Sequence, residues 1–492
     1  MKKPLSKIVF ILSGLLTLTS CVSLGDLLSS RDDQSSTSIP PDIVDNVYKP
    51  NGYVYDNDYL GKTWDVATWR SVGDQKMLVV PVKFSDTSPT YGNDTTIVNT
   101  LNKAFFGASS DTGWESLTSY YEKSSFGALK ITGEVLTPFN LGYSTATLEA
   151  KPKDDQNYWD QTHYVLESIY NTLSAEKLKE YDVNKDGHVD SVFLVYLAPV
   201  KDNSDLYWAY QYYWNRYSNE TKPTFNTYAW ASYEFMYDEL PYSTLKPSAH
   251  TFIHETGHLL GLDDYYDYDG KVMPVGGYDM MDFNIIDHNM YSKYLNNWSL
   301  PFVPVGEADI TLRPAESSGD FILLNKNWNG HVYDEYILIE YYTPTGLNQK
   351  DAFDGYGSVS AFTVPGVRIF HVDSRIRTHY SQTDVRWTDQ ILAPSSTQYT
   401  DIATSNTTSK SVNASYKKIH LLDGDGRSNT WYHSLVKPDN KALFQTGAKI
   451  EIGGWQKYLF DRATFNDGSE IGFSVEIGAM TNEGVQIKIR TA

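Results

Sequence analysis

The segment PSAHTFIHETGHLLGLDDYYD contains the sequence HETGH at residues 254–258. Residues four positions apart lie on the same face of a helix, so His254 and His258 can bind one metal ion together. Glu255 lies about 100° around the helix, near the open side of that ion. A carboxylate at this place can take a proton from a zinc-bound water. The spacing therefore predicts a helix that carries two zinc ligands and a general base.

A third ligand is predicted six residues after His258. Gly261 can adopt the positive φ that ends a helix and turns the chain back, which returns Asp264 to the same ion. The full spacing, HExxHxxGxxD, gives three protein ligands and leaves a fourth position for water. A neighbouring aspartate could instead be the ligand or bind an adjacent calcium ion. These neighbours are Asp263, Asp267 and Asp269. The alternative is an ordinary core helix with Asp264 in a surface turn.

This spacing resembles the metzincin class of zinc peptidases, with aspartate in place of the usual third histidine. The resemblance implies a methionine turn beneath the metal, whose thioether forms an apolar floor. The downstream segment PVGGYDMMDFN has a glycine pair, Gly276 and Gly277, followed by the candidates Met280 and Met281. We expect Met281 to occupy this turn.

Three segments, HETGHLLGLDD, YDMMD and YSKYLNNW, resemble the immune-inhibitor-A type of bacterial secreted zinc metallopeptidase. The resemblance implies an α+β fold with a metzincin-like zinc peptidase domain, in which a mixed twisted sheet packs against the active-site helix. Many metzincins use a tyrosine two residues after the turn methionine to hold the oxyanion, but this chain has Phe283 there. Oxyanion stabilisation is therefore unassigned, with His288, Tyr278 and Tyr291 as candidates.

Composition divides the 492 residues into four parts. Residues 1–20 carry three lysines and an apolar run before LTSC, a pattern that resembles a lipoprotein signal peptide with Cys21 as the lipid anchor. The alternative is an ordinary signal peptide with an incidental cysteine. We predict a flexible tether at 21–52, the zinc metallopeptidase domain at 53–300 and a β-rich, sandwich-like C-terminal domain at 301–492. The protein is then exported, lipid-anchored to the bacterial cell membrane and facing outward.

Charge and cysteine content restrict the partners. The formal net charge of -20 argues against nucleic acid, because a polyanion is repelled by such a surface. We expect a protein or peptide substrate, contact with the membrane through the lipid on Cys21, and a monomer. Cys21 is the only cysteine, so no disulfide forms within the chain.

A second metal site is predicted in DVNKDGHVD, residues 182–190. Its oxygen-bearing side chains and its glycine have the spacing of the first half of an EF-hand calcium loop. The candidate ligands are Asp182, Asn184, Asp186, His188 and Asp190. The acid expected at position 12 is replaced by Phe193, so a plain turn is the alternative to Ca²⁺.

Apolar patterns around these motifs predict the surrounding elements. Residues 77–84 form a buried strand in which Pro81 favours an edge or a bulge. Residues 228–235 are expected to form an edge strand that receives an extended substrate. His250 continues the four-residue histidine series one turn too far from the metal, and we expect it on the helix surface. Further elements are predicted as helix, turn and strand at 116–135, a helix at 158–178 and a strand at 191–197.

The sequence thus predicts a zinc-dependent endopeptidase at the cell surface, with zinc held by His254, His258 and Asp264 and with Glu255 as the general base. The main alternative is a non-catalytic surface adhesin or carbohydrate-binding protein on a metallopeptidase scaffold. The complete set of catalytic residues argues against it. A zinc amidase that acts on cell-wall peptides has the same mechanism and differs only in substrate.

Overall fold

The computed structural model describes residues 43–50, 69–152, 158–200, 206–214, 217–237, 246–357, 359–392, 398–426 and 428–492. The predicted signal peptide, Cys21 and most of the predicted tether lie outside these ranges. Export and lipid anchoring therefore stay predictions. Within the described ranges, no helix has both the length and the apolar character needed to cross a membrane.

A mixed sheet forms the centre of the N-terminal half. In spatial order its strands are β4 (Leu129–Val135), β3 (Gly73–Lys83), β7 (Val192–Tyr196), β10 (Thr227–Ser232) and β8 (Tyr210–Tyr213), with β5 (Phe139–Asn140) beside the end of β3. The first four strands run parallel, and β8 runs antiparallel to β10. A further short pair, β6 (His188–Val189) and β9 (Thr224–Phe225), lies outside this sheet.

Helices cover both faces of this sheet, because successive side chains of a strand point to opposite sides. On β7, Phe193 and Val195 pack against one group of helices, and Leu194 and Tyr196 pack against the other. The first group consists of α1 (Asp94–Phe106), α2 (Leu117–Ser124) and α6 (His250–Leu259). The second group consists of α3 (Thr145–Glu149), α4 (Tyr158–Thr172) and α5 (Ala175–Lys179). The predicted order of helix, turn and strand at 116–135 is confirmed by α2 and β4.

Pro81 lies in an interior strand, so its predicted place at a sheet edge is wrong. The amide of Leu78 faces β7, and the carbonyl of Val79 faces the β4 side. Backbone groups of residues two apart in a strand point to the same side, so the nitrogen of Pro81, which carries no hydrogen, also faces the β4 side. Pairing with β4 ends at Val79, and pairing with β5 begins at Val82. The proline therefore sits in a gap between two partners, where no ladder hydrogen bond is lost.

The edge of the sheet also differs from the prediction. β10 is an interior strand, because β8 pairs with it on the outside over Tyr210–Tyr213. Among the described strands, β8 pairs with β10 alone and is the outermost strand on that side of the sheet. The aromatic run that contains β8 has no clear alternation of apolar and polar residues, which is why its strand was not predicted.

The end of the predicted tether is a strand pair and not flexible chain. β1 (Ile43–Val44) and β2 (Val47–Tyr48) form a hairpin in which Asp45 and Asn46 have φ values of 51° and 62°. Two central residues with positive φ define a tight hairpin turn, and Asp and Asn tolerate that conformation. β2 then pairs with β11 (Val303–Pro304). This contact attaches the segment to the folded protein.

The C-terminal half contains two four-stranded antiparallel sheets packed face to face. One is β12 (Ala308–Leu312), β22 (Gly484–Thr491), β21 (Phe473–Thr481) and β20 (Lys449–Ile450); the other is β13 (Phe321–Leu324), β14 (Glu335–Tyr342), β15 (Gly366–Asp373) and β19 (Ile419–Leu421). A smaller sheet contains β17 (Val385–Thr388), β16 (Ile376–His379) and β18 (Tyr399–Ile402). Short helices complete the fold: α7 (Met280–Phe283) and α8 (Met290–Leu295) follow α6 in the N-terminal half, and α9 (Ala315–Ser318), α10 (Gln349–Phe353) and α11 (Ser428–Ser434) belong to the C-terminal half.

The sheet containing β14 is buried on both faces and joins the two halves. On β14, Ile337 and Ile339 face the second sheet of the sandwich. Tyr336 and Leu338 face a core that also contains Tyr291 and other residues on the N-terminal side of residue 300. The sequence becomes strand-rich near residue 300, but residues on both sides of that position belong to one continuous core. The fold is α+β, with the sandwich packed directly against the helices that follow the HETGH motif.

Candidate metal centre

The predicted zinc helix is α6, and its end has the geometry that the sequence predicted. Gly261 has a φ of 88°, and its amide donates to the carbonyl of His258 over 3.0 Å. The amide of Leu262 reaches back to the carbonyl of Gly257, also over 3.0 Å. These two bonds form a Schellman motif, which reverses the chain after the helix. Asp264 consequently returns to the face that carries the two histidines.

His254, His258 and Asp264 converge on one point. Asp264 Oδ1 lies 2.9 Å from His254 Nε2 and 3.4 Å from His258 Nε2. In the part of the chain that the structure describes, these three residues form the one group of potential metal ligands whose donor atoms all lie within 4.8 Å of one another. Donor atoms around a tetrahedral zinc ion are about 3.3 Å apart, so the spacing suits zinc.

The remaining ring nitrogens are held by the backbone. His254 Nδ1 lies 2.7 Å from the carbonyl of Met280, and His258 Nδ1 lies 2.7 Å from the carbonyl of Leu262. A carbonyl only accepts, so each Nδ1 atom carries a proton, and Nε2 is the nitrogen of each ring that faces Asp264. Once Nε2 is deprotonated, two imidazole nitrogens and a carboxylate oxygen form a donor set typical of catalytic zinc.

Without a metal, the charges of the three side chains shift one another's pKa values. Burial alone lowers the pKa of His258, but the Asp264 carboxylate outweighs burial and raises this pKa to about 9. The pKa of His254 is raised in the same way, and that of Asp264 is held well below its usual range by the two imidazoles. The Asp264 carboxylate therefore stays ionised beside both rings, and a metal ion must displace a proton from each raised-pKa imidazole to bind there.

The neighbouring aspartates, which the sequence left open as ligands, point elsewhere. Asp263 pairs with Lys418. Asp267 accepts the backbone amides of Asp269 and Lys271 in its own loop and both the amide and the hydroxyl of Thr408. Asp269 accepts from Ser409 and Lys271. Among these four aspartates, Asp264 alone faces the histidines.

Glu255 lies beside the cluster and is 5% exposed. Its Oε2 atom has no hydrogen-bond partner among the described residues. Burial raises the pKa of this carboxyl, and the adjacent histidines oppose that shift. A buried polar atom without a partner is costly, which indicates a position for a water or a substrate group.

The two methionines of the predicted turn contact the helix by different atoms. The carbonyl of Met280 orients His254, as described above. The side chain of Met281 packs against Gly257, where an added Cβ would lie 2.4 Å from its sulfur. Asp279 caps the short helix α7 by accepting the Met281 amide over 2.9 Å. The structure thus places the Met281 thioether against α6 at Gly257, the residue before His258.

The three oxyanion candidates have their contacts with other parts of the core. His288 is buried among Tyr120, Tyr121 and Trp298. The Tyr278 hydroxyl donates to the carbonyl of Pro438, and Tyr291 lies in the core shared with the C-terminal half.

Two tyrosines that the sequence interpretation did not assign lie at the centre instead. The Tyr268 hydroxyl donates to Asp264 Oδ2, and the ring of Tyr266 packs edge-on against that of Tyr268 with centroids 5.2 Å apart. Burial raises the pKa of both phenols, and the negative charge of Asp264 raises it further. The signal in the sequence was their position, two and four residues after the third ligand.

His250 is buried, so its predicted place on the helix surface is wrong. Its ring is stacked between Trp114 and Tyr356, with centroid distances of 4.3 and 4.1 Å, and its Nε2 lies 3.1 Å from Asp351 Oδ1. The partners come from distant parts of the chain, which is why local periodicity did not reveal the burial. His250 joins the start of α6 to the C-terminal half.

The predicted calcium loop has the expected turn, with Gly187 at a φ of 84°. Its carboxylates are bound to the loop's own backbone: Asp182 accepts from the amides of Asp186 and Gly187, and Asp190 accepts from that of Val183. Burial, together with the neighbouring carboxylates, raises the pKa of Asp190 to about 7. Calcium at residues 182–190 stays a prediction.

Comparisons with known proteins add little to this description. No protein-family model matches the chain. No curated protein matches its sequence. Among solved structures, the chain is similar to catalytically inactive OgpA from Akkermansia muciniphila in complex with an O-glycopeptide (glycodrosocin) substrate. The identity is 10%, over 70% of this chain and 97% of that chain, with a TM-score of 0.19. A similarity of this size supports no statement about fold or activity.

Proposed function

We propose that the protein is a zinc-dependent endopeptidase. The observation that carries this proposal is the convergence of two imidazole nitrogens and one carboxylate oxygen beside Glu255, whose Oε2 atom is buried and without a partner. The metzincin-like spacing of the sequence and the position of Met281 under Gly257 support the same class.

His254, His258 and Asp264 would hold the zinc, which supplies a Lewis acid that acidifies water and polarises the scissile carbonyl. The carbonyls of Met280 and Leu262 keep both imidazoles in the tautomer that offers Nε2. Glu255 takes the proton from the attacking water and delivers it to the leaving amine, as a general base and then a general acid. Its burial favours this role, because a raised pKa brings the carboxyl closer to the pH at which it must accept and release a proton.

β8, the outermost described strand on its side of the sheet, would provide the surface for an extended substrate. β8 follows β10 at the end of the sheet and contacts α6. A peptide that adds to this edge as a further strand uses backbone hydrogen bonds, which suits many sequences. We therefore propose an endopeptidase that binds unfolded or extended segments of protein.

The experiment is hydrolysis of a denatured protein by the purified soluble chain, beginning at residue 22. A zinc chelator, 1,10-phenanthroline, should abolish cleavage, and added zinc should restore it. The isomer 1,7-phenanthroline cannot chelate and is the matched control. Cleavage that survives the chelator would contradict a metal-dependent mechanism. Zinc binding without cleavage of proteins or of cell-wall peptides would instead favour a binding protein on this scaffold.

A further inference from the structure

The loop that carries Asp264 is fastened to the C-terminal half along its whole length. We call residues 406–418 the clasp. Its contacts with residues 263–269 are these: Lys418 with Asp263, Asn406 with the carbonyl of Tyr265, Thr408 with Asp267, Thr407 with the amide of Tyr268 and Ser409 with Asp269. The number and order of these bonds mean that the loop cannot shift without breaking several of them.

The two oxygens of Asp264 have different partners. Oδ1 faces both histidine Nε2 atoms, at 2.9 and 3.4 Å. Oδ2 accepts the hydroxyl of Tyr268. A hydrogen bond to one oxygen orients the carboxylate and favours binding of an ion through the other oxygen.

Tyr268 is itself held by the clasp from two directions. Its amide donates to Thr407 Oγ1 over 3.3 Å, and the Lys410 ammonium lies 4.4 Å from the centre of its ring. A cation over an aromatic face is attractive, particularly where it is partly desolvated. A chain of contacts therefore links the C-terminal half to the donor cluster: Thr407 and Lys410 contact Tyr268, and Tyr268 contacts Asp264.

We propose that Tyr268 is a positioning residue that holds Asp264 as a one-oxygen zinc ligand, and that the clasp sets the zinc affinity of the centre through Tyr268. This inference rests on the proposed function, because it takes zinc to be the resident ion. It assigns a role to the strand-rich half of the chain: a segment more than 140 positions away in sequence holds the third ligand in place.

The test is the dissociation constant for zinc, measured by competition with a chromophoric chelator. Tyr268→Phe removes the hydroxyl and keeps the ring, and it should weaken zinc binding by about 10- to 100-fold. Tyr217→Phe makes the same chemical change at a side chain that is 86% exposed, and it should bind zinc as the unmodified chain does. Circular dichroism and the urea midpoint of each zinc-free protein show whether the variants are folded.

A second variant tests the path through the clasp. Thr407→Val removes the oxygen that accepts the Tyr268 amide, and it should weaken zinc binding by a smaller factor. If the clasp acts through Tyr268, the double variant should bind zinc no more weakly than Tyr268→Phe alone. Additive losses would overturn the proposed path.

The outcomes separate this inference from the proposed function. Tight zinc binding by the unmodified chain, with equal affinity in Tyr268→Phe, would overturn the role of Tyr268 and leave the endopeptidase proposal intact. Failure of the unmodified chain to bind zinc would overturn the proposed function itself, and this inference with it.

Discussion

Replacing Glu255 by glutamine should leave zinc binding intact and lower peptide hydrolysis by about 10²- to 10⁴-fold, the range for a lost general base. Glutamine has nearly the same shape, so the buried site keeps its packing. The amide oxygen cannot accept a proton at neutral pH, so water is no longer activated. The zinc ligands are separate side chains, and both imidazoles remain oriented by backbone carbonyls.

This expectation is checked by measuring kcat/KM and zinc content on the same preparation. Glu483→Gln, an identical change at the exposed turn between β21 and β22, is the control and should match the unmodified chain. A Glu255→Gln protein that binds zinc and retains more than a tenth of the activity would remove Glu255 from the mechanism. Loss of zinc in the variant would instead show that Glu255 helps to hold the metal.

The second large effect concerns stability. Lys293→Met should lower the free energy of unfolding by about 3–5 kcal/mol, because it leaves a buried carboxylate without its counter-charge. Lys293 Nζ lies 2.6 Å from Asp287 Oδ2, and the two side chains are 0% and 3% exposed. Asp287 also accepts the Ser124 hydroxyl over 2.5 Å, and its amide donates to Asn348 over 3.0 Å. The ion pair thereby connects α8 to α2 and to the C-terminal half.

Urea unfolding followed by circular dichroism measures this effect. Lys449→Met removes one partner of an exposed ion pair with Glu451 and should leave the urea midpoint unchanged. The double variant Lys293→Met with Asp287→Asn removes both charges and should recover part of the loss, since no ion is left unpaired. An unaltered midpoint in Lys293→Met would mean that the pair does not contribute to the fold.

The local geometry of the centre could be predicted from the sequence because it depends on short spacings. The spacing of four positions from His254 to His258 places both on one helix face, and Gly261 is a residue for which a positive φ is easy. The structure has both features. The same holds for the strand that became β7 and for the sandwich of the C-terminal half, whose alternating or continuous apolar runs are strong signals.

The errors at Pro81 and His250 and the omission of Tyr268 have one cause, which is that the partners lie far away in the sequence. Pro81 is tolerated because β4 pairs with the part of β3 before it and β5 pairs with the part after it. His250 is buried by Trp114 and Tyr356, and Tyr268 is placed by the clasp. No window of neighbouring residues contains that information. The return of Asp264 to the two histidines could therefore be predicted, but the residues that hold it there could not.

X-ray absorption at the zinc edge tests the central claim most directly, on the chain from residue 22 purified without added metal. We predict one zinc ion per chain, with a first shell of nitrogen and oxygen donors at about 2.0–2.1 Å and the multiple-scattering signature of two imidazoles. His258→Ala should lose one imidazole from that signature or lose the metal. A chain that binds no zinc, or a zinc shell that is unchanged in His258→Ala, would contradict a catalytic zinc held by His254, His258 and Asp264.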